Sequence, residues 1–159
     1  MIMAKNNYQA EVGKKSNTAR AKINNAPISL KYSVEVCNQI KTMPVNKAIA
    51  FMQRILNYEE FLPLRVYNTK VAHRKGDSKA GVKSGRYPQK VAKEFIKLLE
   101  LAKSNADNLG LDAEKLLIIH IYANAGINRF SYQSKGRIAG KSRRRNATNI
   151  EVIVQEMKN

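Results

Sequence analysis

Between Gly126 and Asn149 the chain holds seven cations, Arg129, Lys135, Arg137, Lys141, Arg143, Arg144 and Arg145, and no acid. The same stretch is poor in residues that could build a core. Apolar runs flank it, Leu116–Ala123 before and Ile150–Met157 after. Strand, basic polar stretch, strand reads as a β-hairpin whose arms continue beyond the folded body. Arms of about 15 residues at ~3.3 Å per residue reach roughly 50 Å. A body of this size is not much wider than ~30 Å. Part of the hairpin therefore stands free, and a two-stranded ribbon is marginal on its own in water. Such an arm needs a partner surface and an anion, and a nucleic-acid backbone supplies both.

The rest of the charge points the same way. The 159-residue chain carries a formal net charge of +17, a field that favours polyanionic partners. A second cationic stretch spans 65–86, with Arg65, Lys70, Arg74, Lys75, Lys79, Lys83 and Arg86 against the single Asp77. Gly76, Gly81 and Gly85 break any helix there. The stretch is expected to be a long basic loop, and long loops inside compact domains are usually functional or disordered. His73 is read as part of that anion-facing loop.

Hydrophobic content of 43% supports one core. Arg20–Asn25 is expected to form a short strand. Ser29 reads as an N-cap for a helix marked by Val34, Val36, Cys37 and Ile40. Pro44 opens a second helix with Ala48, Ile49, Met52, Ile55 and Leu56 on one face. Phe61-Leu62-Pro63-Leu64 ends it and starts an extended segment. The third helix runs from Pro88 to a stop at Gly110, with Val91, Phe95, Leu98, Leu99, Ala102, Ala106 and Leu109 in one stripe. Leu116–Ala123 is nearly all apolar, as for a strand covered on both faces or at a sheet centre. Ile150, Val152 and Val154 alternate with Glu151, Ile153 and Gln155, as for a strand with one buried face. The expected fold is α+β: three helices packed on one side of a small antiparallel sheet, with a long protruding β-hairpin. The expected organisation is a flexible basic tail over 1–19 and one domain over 20–159. That domain includes the loop 65–86 and the hairpin at about 116–157, whose tip lies near 134–141.

Several chemistries are excluded or demoted. One cysteine, Cys37, allows no intrachain disulfide and no multi-cysteine zinc motif, and its apolar neighbours mark it as a buried packing residue. No apolar run reaches the ~20 residues needed to cross a bilayer, and no signal-peptide block opens the chain, so an intracellular chain without a membrane partner is expected. Gly136 to Ser142 resembles a phosphate-binding loop, but the first glycine is one residue too close and no helix pattern follows; its glycines suit a ribbon turn. His73 and His120 lack clustered carboxylates for a metal site. Asn146-Ala147-Thr148 matches a glycosylation sequon by chance. No paired acid and base is evident, so no enzyme, cofactor or metal is expected. Tyr122, Phe130 and Tyr132 interleave with Arg129. They either stack on unpaired bases or pack across the ribbon arms.

Three stretches then resemble the universal large-subunit ribosomal protein twenty-two family, seventeen in eukaryotic naming, in its archaeal and eukaryotic branch. The first is Ala19-Arg-Ala-Lys through Ile28-Ser-Leu-Lys-Tyr-Ser. The second is Tyr67-Asn-Thr-Lys-Val-Ala-His-Arg-Lys-Gly76 with Gly85-Arg-Tyr-Pro-Gln-Lys-Val-Ala. The third comprises Leu98 to Ala106, Gly110-Leu-Asp-Ala-Glu-Lys-Leu and the hairpin from Ala125 to Glu156.

The resemblance implies a non-enzymatic constituent of the large ribosomal subunit, cytoplasmic in location. Family members bind large-subunit ribosomal RNA and touch several of its domains, and their hairpin helps line the peptide exit tunnel beside ribosomal protein four and the nascent peptide. Carried over with the charge pattern, RNA-binding residues are Arg20, Lys22, Lys70, His73, Arg74, Lys75, Lys83, Arg86, Arg129, Lys135, Arg137, Lys141, Arg143, Arg144 and Arg145. The tunnel-lining tip is Ser134, Gly136, Ile138, Ala139 and Gly140. Two places depart from the family pattern. Ser131-Tyr132-Gln133 replaces an Arg/Pro-rich segment, and Asn149 stands where a histidine commonly follows the threonine. The competing class is a general nucleic-acid-binding or RNA chaperone protein outside the ribosome.

Overall fold

The computed structural model describes residues 8–10, 17–75 and 81–157. Most of the expected tail over 1–19, and Lys79 of the basic loop, lie outside those residues. The chain folds as β1 (Thr18–Ala26), α1 (Leu30–Ile40), α2 (Val45–Leu56), β2 (Leu62–Pro63), β3 (Gly85–Arg86), α3 (Gln89–Asn108), a 3-10 turn, β4 (Leu116–Ala125), β5 (Arg129–Tyr132), β6 (Ser142–Arg145) and β7 (Thr148–Glu156). Helices on one face of an antiparallel sheet give the expected α+β architecture.

The main sheet has the order β1-β7-β4, which corrects the sequence reading at two strands. β7, not β4, is the centre. Its residues Ile150 to Val154 are buried on both faces, Ile153 and Glu151 included. β4 is an edge strand and alternates between buried and open positions. The reason is non-local. β1 arrives from more than a hundred residues upstream and pairs β7 from Thr18↔Gln155 to Ala26↔Thr148. On the face away from the helices, the Gln9 N–H donates to Glu151 Oε1 at 2.8 Å. There the Tyr8 ring lies 5.6 Å from the Arg20 guanidinium and 5.8 Å from Lys22 Nζ. The strand with the polar alternation is thus the covered one.

Contacts from the helical layer reach both outer strands of the sheet, which hinders edge-to-edge pairing. The turn between α1 and α2 docks on β4: the Thr42 N–H donates to the Ile118 carbonyl at 3.1 Å, and the Ile118 N–H to that of Met43 at 3.0 Å. On the other edge Asn105 of α3 donates to the Arg20 carbonyl at 2.8 Å.

α3 is the main structural beam. Its stripe buries Val91, Ala92, Phe95, Leu98, Leu99, Ala102 and Ala106 against β1, α2 and β7. Burial of each large side chain contributes about 1.5–3 kcal/mol, so a Leu99→Ala cavity would cost roughly 2–5 kcal/mol. The helix stops where the sequence predicts. Gly110 takes φ +74°, its N–H donates to the Asp107 carbonyl, and the Leu111 N–H reaches back to that of Ala106, closing the last turn. Ser29 does occupy the N-cap of α1, but its side chain makes no capping bond; its carbonyl instead accepts the Ser33 hydroxyl at 2.8 Å.

Candidate nucleic-acid interface

The ribbon grows directly out of the sheet. After β4 and before β7 the two strands separate briefly and pair again as β5 and β6. The junction is built from three residues. Asn25, at φ +54°, accepts the Ile127 N–H on Oδ1 at 2.9 Å, and its own N–H donates to Asn149 Oδ1 at 2.8 Å. The Gly126 N–H donates to the Ala147 carbonyl at 2.8 Å. A Cβ at Gly126 would lie 2.7 Å from Asn25 Oδ1, so only glycine lets the strands and the Asn25 side chain meet. Asn149 therefore helps anchor the ribbon. Below it, the buried Thr148 hydroxyl donates to the Ile28 carbonyl at 2.9 Å.

Beyond this clasp the ladder pairs Arg129↔Arg145, Phe130↔Arg144, Ser131↔Arg143 and Tyr132↔Ser142. Cross-strand partners share a face. One face consequently carries Arg129, Arg143 and Arg145, and the other carries Phe130, Tyr132 and Arg144. The rings do not pack across the arms, because no ring stands opposite them; Phe130 and Tyr132 are 60% and 72% exposed. Tyr122 lies lower, on β4, with its ring centroid 6.4 Å from that of His120.

The tip closes through Gln133–Lys141 and Gly136–Ala139 backbone bonds. Gly136 at φ +85° and Gly140 at +79° make the turn possible. Ser134, Lys135, Gly136, Arg137, Ile138, Ala139, Gly140 and Lys141 are all exposed. Among the described residues none of the seven ribbon cations has a carboxylate partner; the ion pairs lie elsewhere, at Lys22–Glu151, Arg54–Glu60, Glu94–Lys97, Lys103–Glu114, Asp112–Lys115 and His120–Glu151. Two arginines face each other with no counterion, an arrangement that repels itself in isolation.

The basic loop is a second, separately anchored patch. β2 and β3 close its base, Leu62↔Arg86 and Pro63↔Gly85. His73 bridges to Ser84, and the Arg74 N–H donates to the Lys83 carbonyl at 2.8 Å, so His73, Arg74, Lys83 and Arg86 are brought together. Arg74 Nε and Arg86 Nη1 both donate to the Gly85 carbonyl, at 3.2 and 3.0 Å. Arg74 also lies 5.6 Å from the Tyr87 ring. Lys70, Lys75 and Lys83 are exposed. Arg20 and Lys22 form a third group on β1, half-buried beside Tyr8.

One buried acid escapes a charge-based reading. Glu35 on α1 is 2% exposed. Its carboxylate accepts the backbone N–H of Arg65 at 3.1 Å and those of Val66 and Tyr67 at 2.8 and 2.7 Å. The available signal was an acid set inside the apolar run Val34-Glu35-Val36-Cys37. His120 is a hydrogen-bonded strand residue, its Nε2 3.2 Å from Glu151 Oε1. Cys37 is buried, and burial pushes its thiol pKa up to about 12, so it stays protonated and inert. Among the described residues no group of His, Cys, Asp and Glu could hold a metal ion, and no helix is long and apolar enough to cross a membrane.

Fold and site define a class: a small α+β domain that projects a cationic, aromatic-bearing ribbon and carries a second cationic loop. Comparison with known proteins places the chain within it. The family model described as "Ribosomal protein L22p/L17e" matches residues 21–155, and the chain belongs to that family. It is 39% identical over 156 residues to a protein of Methanococcus maripaludis, covering 97% of this chain and 99% of the relative. With one from Ignicoccus hospitalis it shares 40% over 155 residues, covering 94% and 96%. With one from Methanoculleus marisnigri it shares 39% over 157 residues, covering 98% and 99%. All three are named "Large ribosomal subunit protein uL22"; none is named as an enzyme. The relatives fit the archaeal side of the expected branch.

Proposed function

We propose that this chain is a cytoplasmic constituent of the large ribosomal subunit that binds large-subunit ribosomal RNA through the ribbon and the loop 65–86. In this reading it ties several RNA domains together during assembly. The observation that carries it is the ribbon itself: seven cations, no carboxylate partner among the described residues, and two open rings on the face opposite three arginines. Phosphates fit the arginine face, because guanidinium groups bind them in paired hydrogen bonds. Unpaired bases fit the face with Phe130 and Tyr132, because every base has a stacking surface. Association releases counterions from the RNA, which supplies affinity without sequence readout. RNA phosphate also relieves the repulsion between Arg129 and Arg145.

The family resemblance extends the proposal to the peptide exit tunnel. The tip from Ser134 to Lys141 would line its wall beside ribosomal protein four and meet the nascent peptide. The test is a photo-crosslinking side chain at Ile138, introduced in cells. Crosslinks to large-subunit RNA or to nascent peptide are expected. A chain that crosslinks instead to bulk RNA and never sediments with large subunits would establish the chaperone alternative.

A further inference from the structure

The buried carboxylate of Glu35 has a use that its position on a core helix does not require. The last β2–β3 bond is Leu64 N–H to the Ser84 carbonyl, at 2.9 Å. Immediately after it, three consecutive backbone donors, those of Arg65, Val66 and Tyr67, turn inward. Without Glu35 each would need water or another acceptor at this part-buried site. Glu35 accepts all three. Three N–H groups converging on one carboxylate form a strong, charge-assisted cradle. Among the described residues no Lys or Arg forms an ion pair with it, although the chain holds 29 such residues. This acid is committed to backbone.

The same helix makes a second contact with the same segment. Lys31 is one turn before Glu35, on the same face, and its Nζ lies 5.6 Å from the Tyr67 ring centroid. Helix α1 thus grips the start of the basic loop at two points, one on the backbone and one on a side chain. The far stem is held by the His73–Ser84 bridge and the Arg74–Lys83 bond. Exposed Lys70 lies between the two stems.

We propose that Glu35 is a positioning residue for RNA binding. By fixing the three amides at 65–67 it sets where the loop leaves the body, and so presents Lys70 and the arginine cluster behind it to phosphate as an ordered patch. The inference rests on the RNA-binding reading above. It goes beyond that reading by assigning the loop's order to a buried anion that touches no RNA.

The test uses the full chain and a transcript of large-subunit ribosomal RNA. Glu35→Gln preserves shape but turns an amide NH2 toward the Arg65 N–H, donor against donor. Amide hydrogen exchange is expected to speed up at Arg65, Val66 and Tyr67 while Leu98 and Leu99 in α3 stay protected. RNA affinity is expected to fall about 10-fold, the scale of one lost charged hydrogen bond, with a shallower salt dependence. Lys70→Ala should reduce the salt slope by about 0.7–0.9 in the unmodified chain and by clearly less in the Glu35→Gln background. Unchanged affinity and slope, despite lost protection at 65–67, would overturn the proposal and leave RNA binding intact. Absence of salt-dependent binding by the unmodified chain would instead remove the reading on which it rests. Where Glu35→Gln loosens α3 as well, Val66→Pro decides, read by exchange at Arg65 and Tyr67 and by the same affinity and slope criteria, since it deletes one donor and no core side chain; Val66 is 59% exposed.

Discussion

Gly85 offers the sharpest test of how the basic loop is closed. It sits in β3 opposite Pro63, with Phe61 against its backbone. A methyl group there would overlap the Phe61 ring, lying 2.7 Å from Cε2 and 2.9 Å from Cγ as well as on Cδ2. Phe61 is 4% exposed, so the ring has to move or the β2–β3 pair has to open. Expelling the ring forfeits about 1.5–3 kcal/mol of burial, and forced overpacking costs a similar ~1–3 kcal/mol. Gly85→Ala should therefore destabilise the chain by about 1–3 kcal/mol, since only the cheaper route is taken. At this chain length ~1 kcal/mol moves Tm by roughly 2–4 °C, so calorimetry should find a drop of about 2–12 °C. A double-mutant cycle with Phe61→Leu isolates the contact. The two changes should be coupled by more than about 1 kcal/mol, because the smaller side chain leaves room for the methyl group. Costs that add to within ~0.5 kcal/mol would refute the argument.

Three further outcomes follow. Cys37 should resist thiol reagents at pH 8 in the native chain and react at once in denaturant, because burial holds its pKa near 12. The sign is fixed: this group costs no stability below its unfolded pKa, and stability falls as pH rises from there toward about 12, because only the unfolded chain ionises; Cys37→Ala removes that component from the pH profile of denaturation. Asn25→Ala should lower stability by about 1–2 kcal/mol through its left-handed backbone and speed exchange of the Ile127 amide, whereas Asn25→Gly should affect mainly the amide. Thr148→Val should cost about 1–3 kcal/mol by leaving the Ile28 carbonyl without its donor, read by urea denaturation.

What the sequence revealed depended on whether the cause was local. The stripe of α3, apart from Leu109, which lies past the helix end and is 61% exposed, and its glycine stop are local signals, and both were legible. So was the ribbon, because a run of cations without acids between two apolar strands has few other readings. The ranking of β4 and β7 was not legible. It depends on β1 inserting beside β7 and on Tyr8 and Gln9 covering Glu151, contacts made across more than a hundred residues. The clasp at Asn25 and the cradle at Glu35 were hidden for the same reason. Each joins a common polar residue to backbone amides far away in sequence, and neither amide carries any mark in the sequence. Charge counting located the cations but could not identify the acid that orders them.

The central claim is that the ribbon arginines neutralise RNA phosphates. It is tested most directly by filter binding to large-subunit ribosomal RNA across salt concentrations, with the unmodified chain and with an Arg143→Ala/Arg144→Ala/Arg145→Ala variant. Each lost phosphate contact lowers the slope of log affinity against log salt by about 0.7–0.9, so the account predicts a slope shallower by about 2–3. A flat response in the unmodified chain, or the same slope in both, would contradict it.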